Sequence, residues 1–181
     1  CDSTNVFVEG HAGSESDVRK RLREVIAGCT GKVAVTAFAS NVARIESAIL
    51  SAAACGRTVC LVGRSMHRIV GAAKSVGLLG GIPNLVNEDE AGGLPDENVL
   101  YLCTGSQGEP RAALSRIARN DHRNVTLRGG DTVIFSSRVI PGNESAIHHL
   151  YNQFLERGVA LITADDEPVH EGFSGCFREF A

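Results

Sequence analysis

Hydroxyl, amide and guanidinium side chains recur at one kind of place in this sequence, just after a short apolar run and just before a helical pattern. Lys32–Phe38 (KVAVTAF) runs into Ala39-Ser40-Asn41, and Thr58–Val62 (TVCLV) runs into Gly63-Arg64-Ser65-Met66. Val99–Cys103 (VLYLC) runs into Thr104-Gly105-Ser106-Gln107-Gly108-Glu109 with Pro110 behind it. Asp131–Phe135 (DTVIF) runs into Ser136-Ser137 and then Ile140-Pro141-Gly142-Asn143, and Cys1-Asp2-Ser3-Thr4-Asn5 has the form of the same kind of strand exit. Small hydroxyls, glycines and the free amides of helix N-termini suit phosphate, and Arg64 would add a planar bidentate cation. Ser and Asn before a helix are also ordinary N-caps, contributing about 1 kcal/mol each without any ligand. Capping is enough to explain any one turn. Four or five such turns on one edge point to a phosphate or nucleotide ligand. No P-loop string occurs and no GxGxxG follows a strand, which argues against ATP and NAD.

The elements that must position these turns alternate. The four runs above and a fifth, Val159–Thr163 (VALIT), are short and apolar throughout, as strands buried on both faces should be. Between them lie helical patterns. Ser14 and Asp17 form a capping box before Val18, Leu22, Val25 and Ile26, which share one helical face. Val42, Ile45, Ile49 and Ala53 form a second stripe, stopped by Gly56. Pro110 is expected to open a third helix carrying Ala113, Leu114 and Ile117, and a fourth runs from Glu144 to Arg157 and closes at Gly158. Alternation of this density predicts an α/β fold, a three-layer Rossmann-like parallel sheet with helices on both faces. The Gly/Pro/acid-rich segment Gly80–Glu97 reads as a surface excursion with one short edge strand around Leu85–Val86. In a parallel sheet every strand exit falls on the carboxyl edge, so Asp2, Ser40, Asn41, Arg64, Ser106 and Ser136 are expected on one concave surface.

Composition narrows the field. At 181 residues, 43% hydrophobic and 22% charged, the chain has the make-up of one soluble domain, and no linker divides it. No apolar run approaches the ~20 residues of a membrane span, and no leader pattern is present. The chain opens at Cys1 in what reads as the end of a strand, so it is expected to be a fragment. A net charge of −3 argues against holding nucleic acid by bulk electrostatics alone. With 5% aromatics and no Trp, a base-stacking platform is not expected. The six cysteines, at 1, 29, 55, 60, 103 and 176, show no CxxC pair, and Cys60 and Cys103 sit inside strand runs as small hydrophobes. A reduced, cytoplasmic setting is the expectation.

The strings Asp2-Ser3-Thr4-Asn5, Thr36-Ala37-Phe38-Ala39-Ser40-Asn41, Gly63-Arg64-Ser65-Met66, Gly105-Ser106-Gln107-Gly108-Glu109-Pro110 and Ser136-Ser137 with Ile140-Pro141-Gly142-Asn143 resemble the ribonuclease J family, in order, from Asp2 to about His170. The resemblance implies a metallo-β-lactamase-fold nuclease with two zinc ions, into which a β-CASP domain is inserted. Such enzymes degrade RNA from a 5′-monophosphate end and also cut internally. Residues 1–170 would be the β-CASP nucleotide- and RNA-binding domain and 171–181 a divergent tail. Asp2 matches the acidic residue of the first β-CASP motif, beside the metal centre, and is the candidate catalytic residue. Ser40, Asn41 and Val42 match the stretch that touches the nucleotide. Arg64, Ser65, Ser136 and Ser137 match neighbouring exits able to reach the RNA backbone.

Two departures qualify the match. The family's His-x-His-x-Asp-His zinc string is absent, and the six histidines, among them His11 and the pair His148-His149, offer no ligand spacing. No metal ligand is therefore assigned in this chain, and the zinc ligands would come from the missing metallo-β-lactamase domain. Where the family continues Val-His-x-Ser-Gly-His, this chain reads Val169-His170-Glu171-Gly172-Phe173-Ser174-Gly175-Cys176. In register, His170 matches the first histidine and Ser174 stands in place of the second. Slipped by three residues, Ser174-Gly175 would be the Ser-Gly with Cys176 in that place, and either way the second histidine is missing. The chain alone is expected to bind RNA without cutting it, and a cut-out insert would expose the face it packs on its host, favouring a homo-oligomer. The alternative is a stand-alone nucleotide- or sugar-phosphate-binding α/β module.

Overall fold

A computed structural model describes residues 14–164 and 166–169, to which every structural statement below refers. Among them five strands form one all-parallel sheet: β1 (Val33–Thr36), β2 (Thr58–Val62), β3 (Val99–Cys103), β4 (Thr132–Phe135) and β5 (Ala160–Ile162). Their order is β2-β3-β1-β4-β5. The helices are α1 (Glu15–Ala27), α2 (Val42–Ala54), α3 (Arg64–Ser75), α4 (Glu88–Gly92), α5 (Ala113–Ala118) and α6 (Glu144–Leu155). Because side chains alternate along a strand, Val33 and Val35 face one core with Leu22, Ile45 and Met66 from α1, α2 and α3. Ala34 faces the other core, with Leu114 from α5 and Phe154 from α6. The α/β three-layer expectation is met.

Register sets the height of the exits. Thr36 lies opposite Cys103 on one side and Phe135 on the other, so β1, β3 and β4 end level. Buried polar anchors fix the opposite ends. The Asp131 carboxylate accepts from the Lys32 and Arg128 amides, both at 2.8 Å. The Arg57 guanidinium donates to the Gly31, Val99 and Cys29 carbonyls. After β1 the chain crosses β3 to reach β2, whereas after β3 it crosses β1 to reach β4. The connections leave in opposite directions, which opens a crevice between the carboxyl ends of β1 and β3.

Several local expectations shift. The expected capping box of Ser14 and Asp17 is present, and Val18, Leu22 and Ile26 are buried behind it. In α2 the buried stripe ends on Ala52, with Ala53 exposed. Ala52 lies close to two whole turns from Ile45 at about 3.6 residues per turn, and Ala53 falls beyond the core-facing arc. Pro110 does not open a helix. Residues 105–112 make turns, and α5 begins only at Ala113, where the Leu114 amide is held by the Thr104 carbonyl at 3.0 Å. The Gly80–Glu97 excursion carries a parallel bridge from Val86 to Cys60 at the β2 edge, and then α4, capped by Asn87 and Glu90. β5 is not buried on both faces; as an edge strand it leaves Ala160 exposed. Cys60 and Cys103 are buried free thiols, and burial pushes Cys60 up to about 12 and raises Cys103 as well.

Candidate nucleotide-binding site

Three strand exits meet at the crevice, and glycine lets them. Gly63, after β2, has φ of 108°, and a side chain there would meet the Thr104 hydroxyl at 2.5 Å. Gly105, after β3, has φ of 116°, and its Cβ would lie 2.8 Å from that of Ala112. Both positions combine a positive φ with a close approach that no other residue supports without strain. The three exits thereby wall a groove of about 790 Å³, which takes Ser40 from β1, Arg64 and Ser65 from β2, and Ser106 from β3. The first turn of α3 points its amides here without a side-chain cap, the arrangement that favours an anion.

Ser40 is exposed, and its hydroxyl makes no hydrogen bond among the described residues. The cap of α2 is Asn41, whose Oδ1 accepts from the Arg44 amide at 3.1 Å. The capping explanation thus holds for Asn41 and fails for Ser40, because a turn between Phe38 and Asn41 carries Ser40 outside the helix. Val42, partly buried, packs against the core under α2.

The β4 exit is built differently. Ser136 and Ser137 are buried, at 1% and 6% exposure, and neither lines the groove. The Ser136 hydroxyl accepts from Arg44 at 2.8 Å and donates to the Val169 carbonyl at 2.5 Å. The Ser137 hydroxyl is buried with no partner among the described residues. Arg44, 1% exposed, also forms a two-point ion pair with Glu15 at 2.9 and 3.1 Å. One guanidinium thus joins α1, α2, the β4 exit and the residue before position 170. Asp2, His170 and Ser174 lie outside the described residues.

Gln107 links two of the strings that mark the sequence. Its Nε2 donates to the Arg138 carbonyl at 2.8 Å, and its Oε1 accepts from the Ile140 amide at 2.9 Å and from Asn143 at 3.2 Å. Gly108, at φ 74°, lets this turn seat against the start of α6, where a Cβ would stand 2.7 Å from the Ala146 carbonyl carbon. The β3-exit string and the β4-exit string are two halves of one clamp.

Among the groove residues to which sequence reasoning gave no role are three arginines, Arg111, Arg116 and Arg123. The signal was a concentration of arginines at 111, 116, 119 and 123, behind a turn already singled out. His122 stands beside them, its pKa lowered by burial first and by Arg116 as well, with Glu88 and Asp121 opposing. Among the described residues no three His, Cys, Asp or Glu side chains gather as a metal-ligand set, so no step through a metal is assigned to them. Among the same residues no helix is long and apolar enough to cross a membrane.

Residues 30–154 match the family described as Ribonuclease J, beta-CASP domain. The chain belongs to that family. It is 49% identical to Ribonuclease J of Sinorhizobium meliloti over 170 residues, which is 94% of this chain and 30% of the relative. It is 40% identical to Ribonuclease J of Corynebacterium glutamicum over 179 residues, 97% of this chain and 25% of the relative. Identity to Ribonuclease J of Thermus thermophilus is 40% over 170 residues, again 94% and 30%. The chain therefore spans a quarter to a third of the length of these curated relatives. Within the ribonuclease J β-CASP family its five-stranded parallel sheet is the expected architecture, and the Gln107 clamp and the glycine-walled groove lie inside the matched residues.

Proposed function

We propose that this chain is the RNA-binding part of a ribonuclease J-type exo- and endoribonuclease acting on 5′-monophosphorylated RNA. Residues 1–170 form its β-CASP domain, with 171–181 a divergent tail. One observation carries the reading: Ser40, with a hydroxyl that serves no cap, lines a groove at the switch point of the sheet together with Arg64 and Ser65. In this reading the three hold a nucleotide's phosphate and ribose. Asn41 and Val42 set the height of that seat through α2, and Ser136 and Ser137 support the path from the β4 side. Asp2 takes the catalytic role beside the metal centre, with His170 and Ser174 near the 5′ end of the substrate.

The metal of the whole enzyme is proposed to be zinc, as two ions whose ligands belong to a metallo-β-lactamase domain outside this chain. In that role the ions would generate hydroxide and clamp the scissile phosphate. The setting is the cytoplasm, and the face that packs on the missing domain makes a homo-oligomer of the isolated chain the expected state. The alternative of a stand-alone nucleotide- or sugar-phosphate-binding module is not favoured, because the matched family and the named relatives are ribonuclease J.

The test is titration of the purified chain with uridine monophosphate and with a short 5′-monophosphorylated single-stranded RNA. Saturable binding of both, competitive with one another, is expected, without cleavage when zinc or manganese is added. Binding of glucose 6-phosphate in preference to either would overturn the reading.

A further inference from the structure

The groove is larger and more basic than one nucleotide requires. Beyond Ser40 and Arg64 its wall is supplied by the connection that follows β3, which places Arg111, Arg116 and Arg123 along it. Arg111 and Arg123 are exposed and have no ion-pair or hydrogen-bond partner among the described residues. Arg116 is half-buried, and among the described residues its guanidinium donates only to the Asp121 carbonyl, at 3.1 Å. Glu88 and Glu109 also line the groove, and the Glu109 carboxylate accepts from the Gln107 amide at 3.0 Å. Four arginines against two carboxylates make a local excess of positive charge on a chain whose net charge is −3. Like charges brought together on one wall repel unless something neutralises them. A second polyanionic segment running along the wall would do so.

We propose that Arg111, Arg116 and Arg123 form a track for the phosphodiester backbone of single-stranded RNA, continuing outward from the nucleotide seated at Ser40. The proposal rests on the reading of this edge as an RNA-binding site and adds to it where the rest of the strand lies. Guanidinium forks recognise phosphate oxygens irrespective of the base. Among the described lining residues Phe38 is the only Phe, Tyr or Trp, with His67 and His122 the other rings, so stacking of successive bases has few partners along the track. Contacts of this kind confer strength and salt dependence rather than sequence preference.

The experiment uses the 181-residue chain, a fluorescent 5′-monophosphorylated single-stranded RNA dodecamer, uridine monophosphate as competitor, and a duplex RNA of equal length. Arg111→Gln with Arg123→Gln removes two exposed charges that hold no part of the fold, and Arg116→Gln is added in a triple variant. Circular dichroism checks that each variant is folded. For single strands the slope of log affinity against log salt changes by roughly 0.7 per phosphate contact, so it should flatten by about 1.4 in the double variant and about 2.1 in the triple. Dodecamer affinity should fall at least tenfold while monophosphate affinity stays as in the wild type. Wild-type dodecamer binding with unchanged affinity and slope in the folded double variant would overturn the track and leave the nucleotide seat standing. Equal loss of monophosphate binding would overturn it too, by placing these arginines in the seat itself. Equal flattening with the duplex would overturn the single-strand assignment. Failure of the wild type to bind either probe would overturn the track together with the reading beneath it.

Discussion

One nitrogen of the Arg44 guanidinium donates to both oxygens of Ser136, the carbonyl at 3.1 Å and the hydroxyl at 2.8 Å. The same nitrogen reaches the Val169 carbonyl at 3.3 Å, and the other two engage Glu15. A buried charge is tolerated only when paired and hydrogen-bonded, and Arg44 meets both conditions by gathering four parts of the chain. Its role is to hold the β4 exit and the approach to position 170 at a fixed height beside α2.

Arg44→Ala should therefore destabilise strongly. Breaking a buried pair costs about 3–5 kcal/mol. The lower end is expected, because Glu15 is 23% exposed and can regain water. Glu15→Gln keeps one acceptor oxygen but removes the counter-charge of the buried guanidinium, and should lose about 2 kcal/mol. Urea unfolding of both variants checks the order. Equal losses would mean that the ion pair, and not the carbonyl network, carries the contribution.

Gln107→Ala should separate the two exits. The substitution leaves the Ile140 amide without its acceptor and the Arg138 carbonyl without its donor. Arg138 and Ile140 are exposed, so the freed groups can turn to water and each lost hydrogen bond costs about 0.5–1.5 kcal/mol. A total loss of about 1–3 kcal/mol is expected, with faster amide hydrogen exchange at residues 138–143. Unchanged exchange there would show that the turn is held by its own backbone.

Below neutral pH two groups should erode stability in sequence. His122 has a folded pKa below the ordinary 6.5 because burial disfavours its cation. Its contribution is complete above 6.5, and falls with pH as the unfolded chain takes up a proton that the folded chain resists. Asp96 is held below the ordinary 3.8 by its hydrogen bond from Arg128, helped by Lys32, so its contribution disappears only as pH drops below 3.8. Thermal melts from pH 7.5 to 3 should show both declines. His122→Asn should flatten the one that begins near 6.5 and leave the acid one in place.

The strand–helix alternation, the carboxyl-edge exits and the family strings were all legible in the sequence because each is local. Buried strands are continuous apolar runs, and an N-cap announces itself within three residues. What the sequence hid depends on the register between distant segments. Nothing around Arg44 says that its guanidinium is buried against Ser136, 92 residues on. Ser136 and Ser40 look alike as hydroxyls after a strand, yet one is consumed inside and the other is open. The arginines at 111, 116 and 123 were visible as residues, but only the packing of Gly63 on Thr104 and Gly105 on Ala112 turns that stretch into a wall of the groove.

Ser40 and Asn41 give the clearest test, because adjacent residues of similar chemistry have been assigned opposite roles. Asn41 caps α2 through the Arg44 amide, so Asn41→Ala should cost about 1 kcal/mol of stability. Ser40 is exposed and its hydroxyl bonds to nothing among the described residues, so Ser40→Ala should leave stability within about 0.5 kcal/mol of the wild type, as for a surface substitution. For uridine monophosphate the order reverses. Loss of a hydrogen bond to a charged phosphate oxygen should weaken binding by about 1.5–3 kcal/mol in Ser40→Ala. Asn41→Ala should weaken it less, and only to the extent that the loosened helix end moves the seat. Calorimetric titration at a temperature where both variants are folded separates the two effects. A Ser40→Ala chain that melts like the wild type and binds like the wild type would remove Ser40 from the nucleotide site.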